Sequence, residues 1–192
     1  MIVVYNFKGG EGKTRISLNI ALELGYSIIT NDVFTPLEKI LPEERYLKVY
    51  PKDTIPELSI EDEKEVVFDF GGYPDTRVVN VLKRAKHIIV PVSNDEDGIQ
   101  VAVNSIDTIS EYNKNIAIVV NKAEKGDFEQ VKADLIELYP KYKFFEIKKS
   151  KALSNISKKG KPISELAKVP LMRHAYAKVV KQFDELINYI KD

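Results

Sequence analysis

The chain has 192 residues, 44% of them hydrophobic and 30% charged, which is enough for a packed core and too apolar for wholesale disorder. Its 29 lysines and arginines balance 29 aspartates and glutamates, so net charge points to no polyanionic partner and any such signal has to be local. It contains no cysteine, which excludes disulfides, thiolate metal sites and iron–sulfur ligation and is compatible with a reducing compartment. No apolar run is long enough to span a bilayer and the first residues read as a strand, so a cytoplasmic location is expected.

Ile2-Val3-Val4-Tyr5 is a short apolar run of the kind that forms a parallel strand buried on both faces. Lys8-Gly9-Gly10-Glu11-Gly12-Lys13-Thr14 follows, and a helical apolar period starts at once, with Ile16, Ile20 and Leu24 four apart and Gly25 in the stop position. Strand, glycine-rich loop and helix in this order are the setting of a phosphate-binding loop. Glycines let backbone N–H groups close around phosphate oxygens, Lys13 brings charge to the β- and γ-phosphates, Thr14 offers a hydroxyl to Mg²⁺, and the helix points its positive end at the anion.

Further on, strands are expected at Tyr26–Asn31, at Tyr46–Tyr50, over the apolar run from Val66 that carries Asp69, and at His87–Val92, Ile116–Val120 and Lys143–Ile147. Helices are expected over Pro74–Ala85, around Ile99, Ala102, Ile106 and Ile109, over Asp127–Leu138, and over Leu171–Ile190. The apolar stripe of the last one (Leu171, Ala175, Val179, Phe183, Ile187, Ile190) suits core packing. Glu61–Glu65 reads as a solvated turn, and His87 and His174 as an ordinary strand and helix-surface residue. Regular alternation with short connections predicts right-handed βαβ crossovers. The fold expected is an α/β P-loop NTPase fold, a mostly parallel twisted sheet with helices on both faces, as a single domain over residues 1–192.

The loop departs from G-x-x-x-x-G-K-[ST] at its first glycine position, which holds Phe7, and gains Lys8 at the head of K-G-G-x-G-K-T. This pattern resembles the deviant Walker A loop of the ParA/MinD family of dimeric ATPases, closest to small ParA-type partition ATPases. The resemblance implies that Lys8 reaches across a dimer interface to the partner's nucleotide, that residues 8–15 (Lys8, Gly9, Gly10, Glu11, Gly12, Lys13, Thr14, Arg15) hold ATP, and that Lys8 and Lys13 take part in its hydrolysis. Asp69, an acid closing an apolar strand, stands where a Walker B residue holds Mg²⁺, with Thr14 as the second metal group; an acid capping the next helix is the plainer reading. His87–Val92 resembles the family's strand ending in Pro-Val, and Gly160-Lys161-Pro162 its Gly-Lys-Pro stretch. Asn121, after Ile118-Val119-Val120, looks like the family's adenine-contacting asparagine, and it is also an ordinary turn former.

ParA-type proteins carry Asp-x-Asp-Pro after the second strand, where the second acid orients the attacking water. Here the stretch reads Thr30-Asn31-Asp32-Val33-Phe34-Thr35-Pro36, and neither register yields two acids: one puts Phe34 and the other Thr35 on the second position. Asp32 is the one acid available, so hydrolysis is expected to be slow and partner-stimulated, with Asp32 as the water-orienting group. From Lys148 to Ser164 there are six lysines (Lys148, Lys149, Lys151, Lys158, Lys159, Lys161) and no acid, a surface suited to DNA phosphates or a solvated loop. The family implies the rest of the expected function: an ATP-dependent homodimer that binds DNA without sequence preference on the nucleoid, partitions plasmid, chromosome or another cargo, and answers to a small ParB-like DNA-binding stimulator. Two alternatives are a MinD-type membrane-associated positioning ATPase and a small-molecule P-loop synthetase or kinase. The acids Asp184, Glu185 and Asp192 in the last helix speak against anionic lipid, so no membrane is expected.

Overall fold

A computed structural model describes residues 1–59, 61–73 and 75–192. Seven strands form one sheet: β1 (Ile2–Val4), β2 (Ser27–Thr30), β3 (Tyr46–Lys48), β4 (Val66–Asp69), β5 (His87–Val92), β6 (Ile116–Ala123) and β7 (Lys143–Lys148). Their order is β3-β2-β4-β1-β5-β6-β7 and every pairing is parallel, so the mostly parallel sheet expected is wholly parallel among the described residues. Helices α1 (Lys13–Leu24), α5 (Lys151–Lys159), α6 (Ile163–Leu166) and α7 (Pro170–Lys191) cover one face, and α2 (Val79–Arg84), α3 (Glu96–Ser110) and α4 (Asp127–Ile136) the other.

Two-sided burial explains why the strands read as unbroken apolar runs. Along β1, Ile2 and Val4 face the α1 side while Val3 and Tyr5 face the α3 side, and all are buried. Each such Val or Ile taken fully out of water stabilises the fold by about 1.5–3 kcal/mol. The P-loop follows β1 because of this topology. β1 leads to α1 on one face, while its two neighbours β4 and β5 lead to α2 and α3 on the other, which opens a crevice at the carboxyl ends of these three strands.

Three expectations need correcting. The helix expected from Pro74 begins later: Pro74 lies outside the described residues, Asp75 caps a short 3₁₀ turn over Thr76–Val78, and α2 follows as Val79–Arg84. The lysine-rich stretch after β7 is no loop, for α5 occupies Lys151–Lys159, capped by Ser150 and closed by Gly160 at φ +61°. Its signal was the spacing of Ala152, Leu153 and Ile156, all buried, which the density of lysines obscured. Finally, Val179, Phe183, Ile187 and Ile190 of α7 are in the core, whereas Leu171 (87% exposed) and Ala175 are not, since burial along α7 begins only at Tyr176.

Candidate functional site

The loop between β1 and α1 is fixed from below before any ligand is considered. Asn6 is buried and donates from Nδ2 to the Pro91 carbonyl (2.7 Å), while its Oδ1 accepts from Lys8 N (2.8 Å) and Ser105 Oγ (3.3 Å). Phe7, in the place of the first glycine, donates its N–H to Ser105 Oγ (3.1 Å) and sets its ring edge-on to Tyr5. Gly12 caps α1 at φ +83° with no side-chain acceptor and no acid in the first turn, which leaves the N-terminal amides of α1 for an anion. A side chain cannot stand there: a Cβ on Gly12 would fall 2.3 Å from Asn121 Nδ2.

The two loop lysines have different fates. Lys13 is 7% exposed and donates from Nζ to the Lys8 carbonyl (2.7 Å); burial pulls its pKa down, against the opposing charges of Asp69, Glu11 and Asp32. Lys8 stands at the rim, paired with Asp95 at the N-cap of α3 and 3.3 Å from Glu11 Oε1. The Lys8 ammonium and the Ser93 hydroxyl hold the Asp95 carboxyl down to about 2, so this pair is ionised throughout the neutral range. Glu11 is only 2% exposed; Oε1 also accepts from Ser93 Oγ (2.9 Å) and Oε2 has no partner.

Asp69 closes β4 beneath the loop. Its Oδ1 accepts from Ser17 Oγ (3.0 Å), and its Oδ2 is buried without a partner. Burial pushes the carboxyl up to about 6, against Thr14, Ser17 and Lys13 beside it. A buried carboxylate oxygen without a partner, on a carboxyl that has the Thr14 hydroxyl beside it, fits a hard divalent cation such as Mg²⁺. The plainer reading of Asp69 as a helix cap does not hold, since the cap of the next turn is Asp75.

A cleft of about 390 Å³ lies over the loop, lined by Gly9, Gly10, Gly12, Lys13, Thr14, Arg15, Asp32, Phe70, Gly71, Gly72 and Lys122. The cleft thus brings together Asp32 and, of the expected loop residues, Gly9, Gly10, Gly12, Lys13, Thr14 and Arg15, while Lys8 and Glu11 lie outside its lining. One Asp32 carboxylate oxygen accepts from Phe34 N (3.3 Å), Phe34 itself is 93% exposed, and Thr35 is buried, so no second acid enters from this stretch. Asn121 is 2% exposed and turned under the loop, with Nδ2 donating to the Glu11 carbonyl (2.7 Å) and Oδ1 buried without a partner. Sequence reading missed Lys122, which adopts φ +56° at the irregularity that ends β6 and extends Nζ to the Gly10 carbonyl (2.5 Å). It also missed Gly72, packed so closely that a Cβ would lie 2.5 Å from Gly9 N. A glycine pair two residues after the strand acid was the available signal for the second.

The six lysines are elsewhere. Lys148 is half-buried at the end of β7, Lys151 opens α5, Lys158 and Lys159 close it, and Lys161 follows Gly160. Lys149 pairs with Glu124 and Lys161 with Glu165. The end of this segment is fastened to the P-loop helix: Ile163 N donates to Asn19 Oδ1 (2.9 Å), and Ser164 N and Oγ to Glu23 (3.0 and 2.7 Å).

Strand, glycine loop, buried lysine, free helix amides and a strand-end acid at a crevice of a parallel sheet define a P-loop nucleotide-binding protein. Within that class the chain belongs to the CobQ/CobB/MinD/ParA nucleotide binding domain family, which matches residues 2–163. No curated protein matches by sequence. Among solved structures the chain resembles a substituted McdA of Cyanothece in complex with ATP, at 14% identity and TM-score 0.68 over 98% of this chain and 95% of that one. It also resembles a ParA family ATPase from Chlorobium tepidum TLS (16% identity, TM-score 0.63, 97% and 98% covered) and the septum site-determining protein MinD with Mg-ADP from Pyrococcus horikoshii OT3 (14%, 0.58, 98% and 97%). At these identities the likeness is one of fold.

Proposed function

We propose that the chain is a ParA-type ATPase: it binds ATP with Mg²⁺, dimerises on ATP, binds DNA without sequence preference and moves a cargo, with slow hydrolysis that a partner stimulates. The observation that carries this reading is the division of labour between the two loop lysines. Lys13 is buried beneath the loop, where it serves the nucleotide of its own chain, and Lys8 stands at the rim beside Asp95 and Glu11, positioned to exchange those carboxylates for the phosphates of a second copy. Thr14 and Asp69 would hold the metal, which when bound neutralises charge on the β- and γ-phosphates. Asp32, which lines the cleft with Lys13, would accept a hydrogen bond from the attacking water. The ATP and Mg-ADP complexes of the similar folds support this choice of ligand.

DNA binding would fall to Lys148, Lys149, Lys151, Lys158, Lys159 and Lys161, a surface docked on the P-loop helix through Asn19 and Glu23. Steady-state ATP turnover with and without duplex DNA, together with mass measurement in ATP and in ADP, tests the reading. Expected are a dimer in ATP alone and turnover that DNA raises; a monomer in both nucleotides, or turnover needing a small-molecule acceptor, overturns it. One observation favours a membrane-associated second reading: Val169, Leu171 and Met172 are exposed at the start of α7 between Lys168 and Arg173, although no helix among the described residues is long and apolar enough to cross a membrane. Flotation with anionic liposomes in ATP separates the two.

A further inference from the structure

Asn31 follows β2 directly and precedes Asp32, and it is 4% exposed. Its amide holds two residues of the connection that follows β4, one of them in the lining of the cleft. Oδ1 accepts from Gly71 N (2.6 Å), and Nδ2 donates to Asp75 Oδ2 (2.9 Å). The Tyr73 phenol closes the same knot by donating to the Asn31 carbonyl (3.3 Å). Asp75 is in turn gripped by the Arg77 guanidinium, whose Nη1 also donates to the carbonyls of Tyr50 (2.8 Å) and Asp53 (2.9 Å). Gly71 and Gly72 line the cleft with Asp32, and Gly72 rests on the backbone of Lys8 and Gly9. One side chain therefore ties the strand end that carries the only acid of its stretch to the glycine pair that presses on the phosphate loop.

The amide makes both bonds at once because it carries an acceptor and a donor on separate atoms. A carboxylate at this position would accept from Gly71 N but would face the Asp75 carboxylate as a like charge, and an aliphatic side chain would leave Gly71 N buried without an acceptor. We infer that Asn31 is a positioning residue for ATP hydrolysis, its amide fixing Asp32 and the Gly71–Gly72 pair relative to each other where the stretch after β2 offers no second acid. The inference rests on the hydrolysis reading proposed above. Nucleotide binding itself is carried by residues 9–14 and the end of α1, which Asn31 does not touch. A displaced Asp32 costs turnover rather than affinity, since a misplacement of about 1 Å reduces rate by about 10²-fold.

The test compares wild type with Asn31→Asp, with the exchanged pair Asn31→Asp/Asp75→Asn, and with Asn31→Ser, which is uncharged and too short to reach both Gly71 and Asp75. Turnover, ATP affinity by calorimetry and hydrogen exchange of the Gly71 amide are read in each. The expected result is a fall in kcat of about 10- to 100-fold for Asn31→Asp and Asn31→Ser with ATP affinity kept. Gly71 exchanges faster in Asn31→Ser, and the exchanged pair regains at least half of the lost factor on a logarithmic scale, because donor and acceptor face each other again. Should Asn31→Asp fail to fold, Asn31→Ser alone decides by the same split between kcat and affinity. Wild-type turnover in Asn31→Ser, or an exchanged pair as slow as a folded Asn31→Asp, overturns the inference and leaves the hydrolysis reading standing. Wild-type protein that never hydrolyses ATP overturns both.

Discussion

The nucleotide cleft and the lysine-rich segment after β7 are both basic, and they hold their charge in opposite ways. In the cleft Lys13 is 7% exposed with a fixed carbonyl acceptor, and the acids Glu11 and Asp69 are buried within reach of the lysines. In the segment, Lys149, Lys151, Lys158, Lys159 and Lys161 are exposed, and the ion pairs of Lys149 and Lys161 lie at the surface, where such pairs contribute less than about 1 kcal/mol. A buried charge acts as an individual and its removal is felt at once. Exposed charges act as a sum, each small and screened by salt.

The sharpest way to probe the comparison is Lys8, which stands between the two regimes at the rim. Lys8→Ala is expected to keep ATP affinity while dimerisation in ATP is lost and turnover falls about 10³-fold, the lower end of what a cation supplied in trans contributes. Calorimetry, light scattering in ATP and phosphate release measure the three quantities on one preparation. ATP-dependent dimers with normal turnover would place Lys8 in a purely structural role with Asp95 and Glu11. Lys13→Ala comes next. Removing the buried ammonium leaves the phosphate charge and Asp69 without their partner, and ATP affinity is expected to fall about 10²- to 10³-fold, or roughly 3–4 kcal/mol. Unchanged affinity would remove the loop from the nucleotide site.

Asp69 tests the same burial from the side of stability. Its carboxyl titrates near 6 in the folded chain and near 3.9 when unfolded, so between about pH 4 and 6 the folded protein binds the extra proton. Stability of the nucleotide-free protein is therefore highest below about pH 4 as far as this group decides, and falls as pH rises to 6. Asp69→Asn removes the buried charge. It is expected to be more stable than wild type at pH 8 by up to about 3 kcal/mol, with the gap closing by pH 4, while Mg²⁺-dependent ATP binding is lost. Denaturant titrations at pH 4.5 and 8 read the first effect. A variant less stable than wild type at pH 8 would mean that the charge is compensated inside the fold.

What the sequence made legible follows the same division. The phosphate loop is contiguous, and its chemistry lies largely in the backbone, so seven residues in a row sufficed to place Lys13, Thr14 and the start of α1. The apolar strands were legible because both faces of the sheet are covered, and His87–Val92 has the bounds expected. The partners that hold the site came from far along the chain and carried no local pattern: Asp95 and Ser93 beside the loop, Lys122 on the Gly10 carbonyl, Asn31 on Gly71. The absence of a second acid after β2 was plain in the sequence, but that an asparagine there joins two loops is a fact of three dimensions. Helix α5 was hidden by its own lysines, since its buried side is only three residues wide.

The smallest expected effects belong to single lysines of that segment. If an ATP-bound dimer makes about six phosphate contacts, log affinity for duplex DNA falls against log salt with a slope near −5. One lysine lost from each chain removes two contacts from the dimer, so Lys158→Ala is expected to flatten the slope by about 2. Lys161→Ala should change it less, because Glu165 one turn further on already holds the Lys161 ammonium and must release it before a phosphate can take its place. Lys158 has no acid partner among the described residues and sits in the last turn of α5, where the helix dipole favours the bare cation. Salt titrations of DNA binding in ATP for wild type, the two single variants and the triple Lys158→Ala/Lys159→Ala/Lys161→Ala resolve the order, with calorimetry confirming that ATP affinity is untouched. A larger effect at Lys161 than at Lys158 would show that the Glu165 pair opens freely. A triple variant with the wild-type slope would move the DNA surface off this segment altogether.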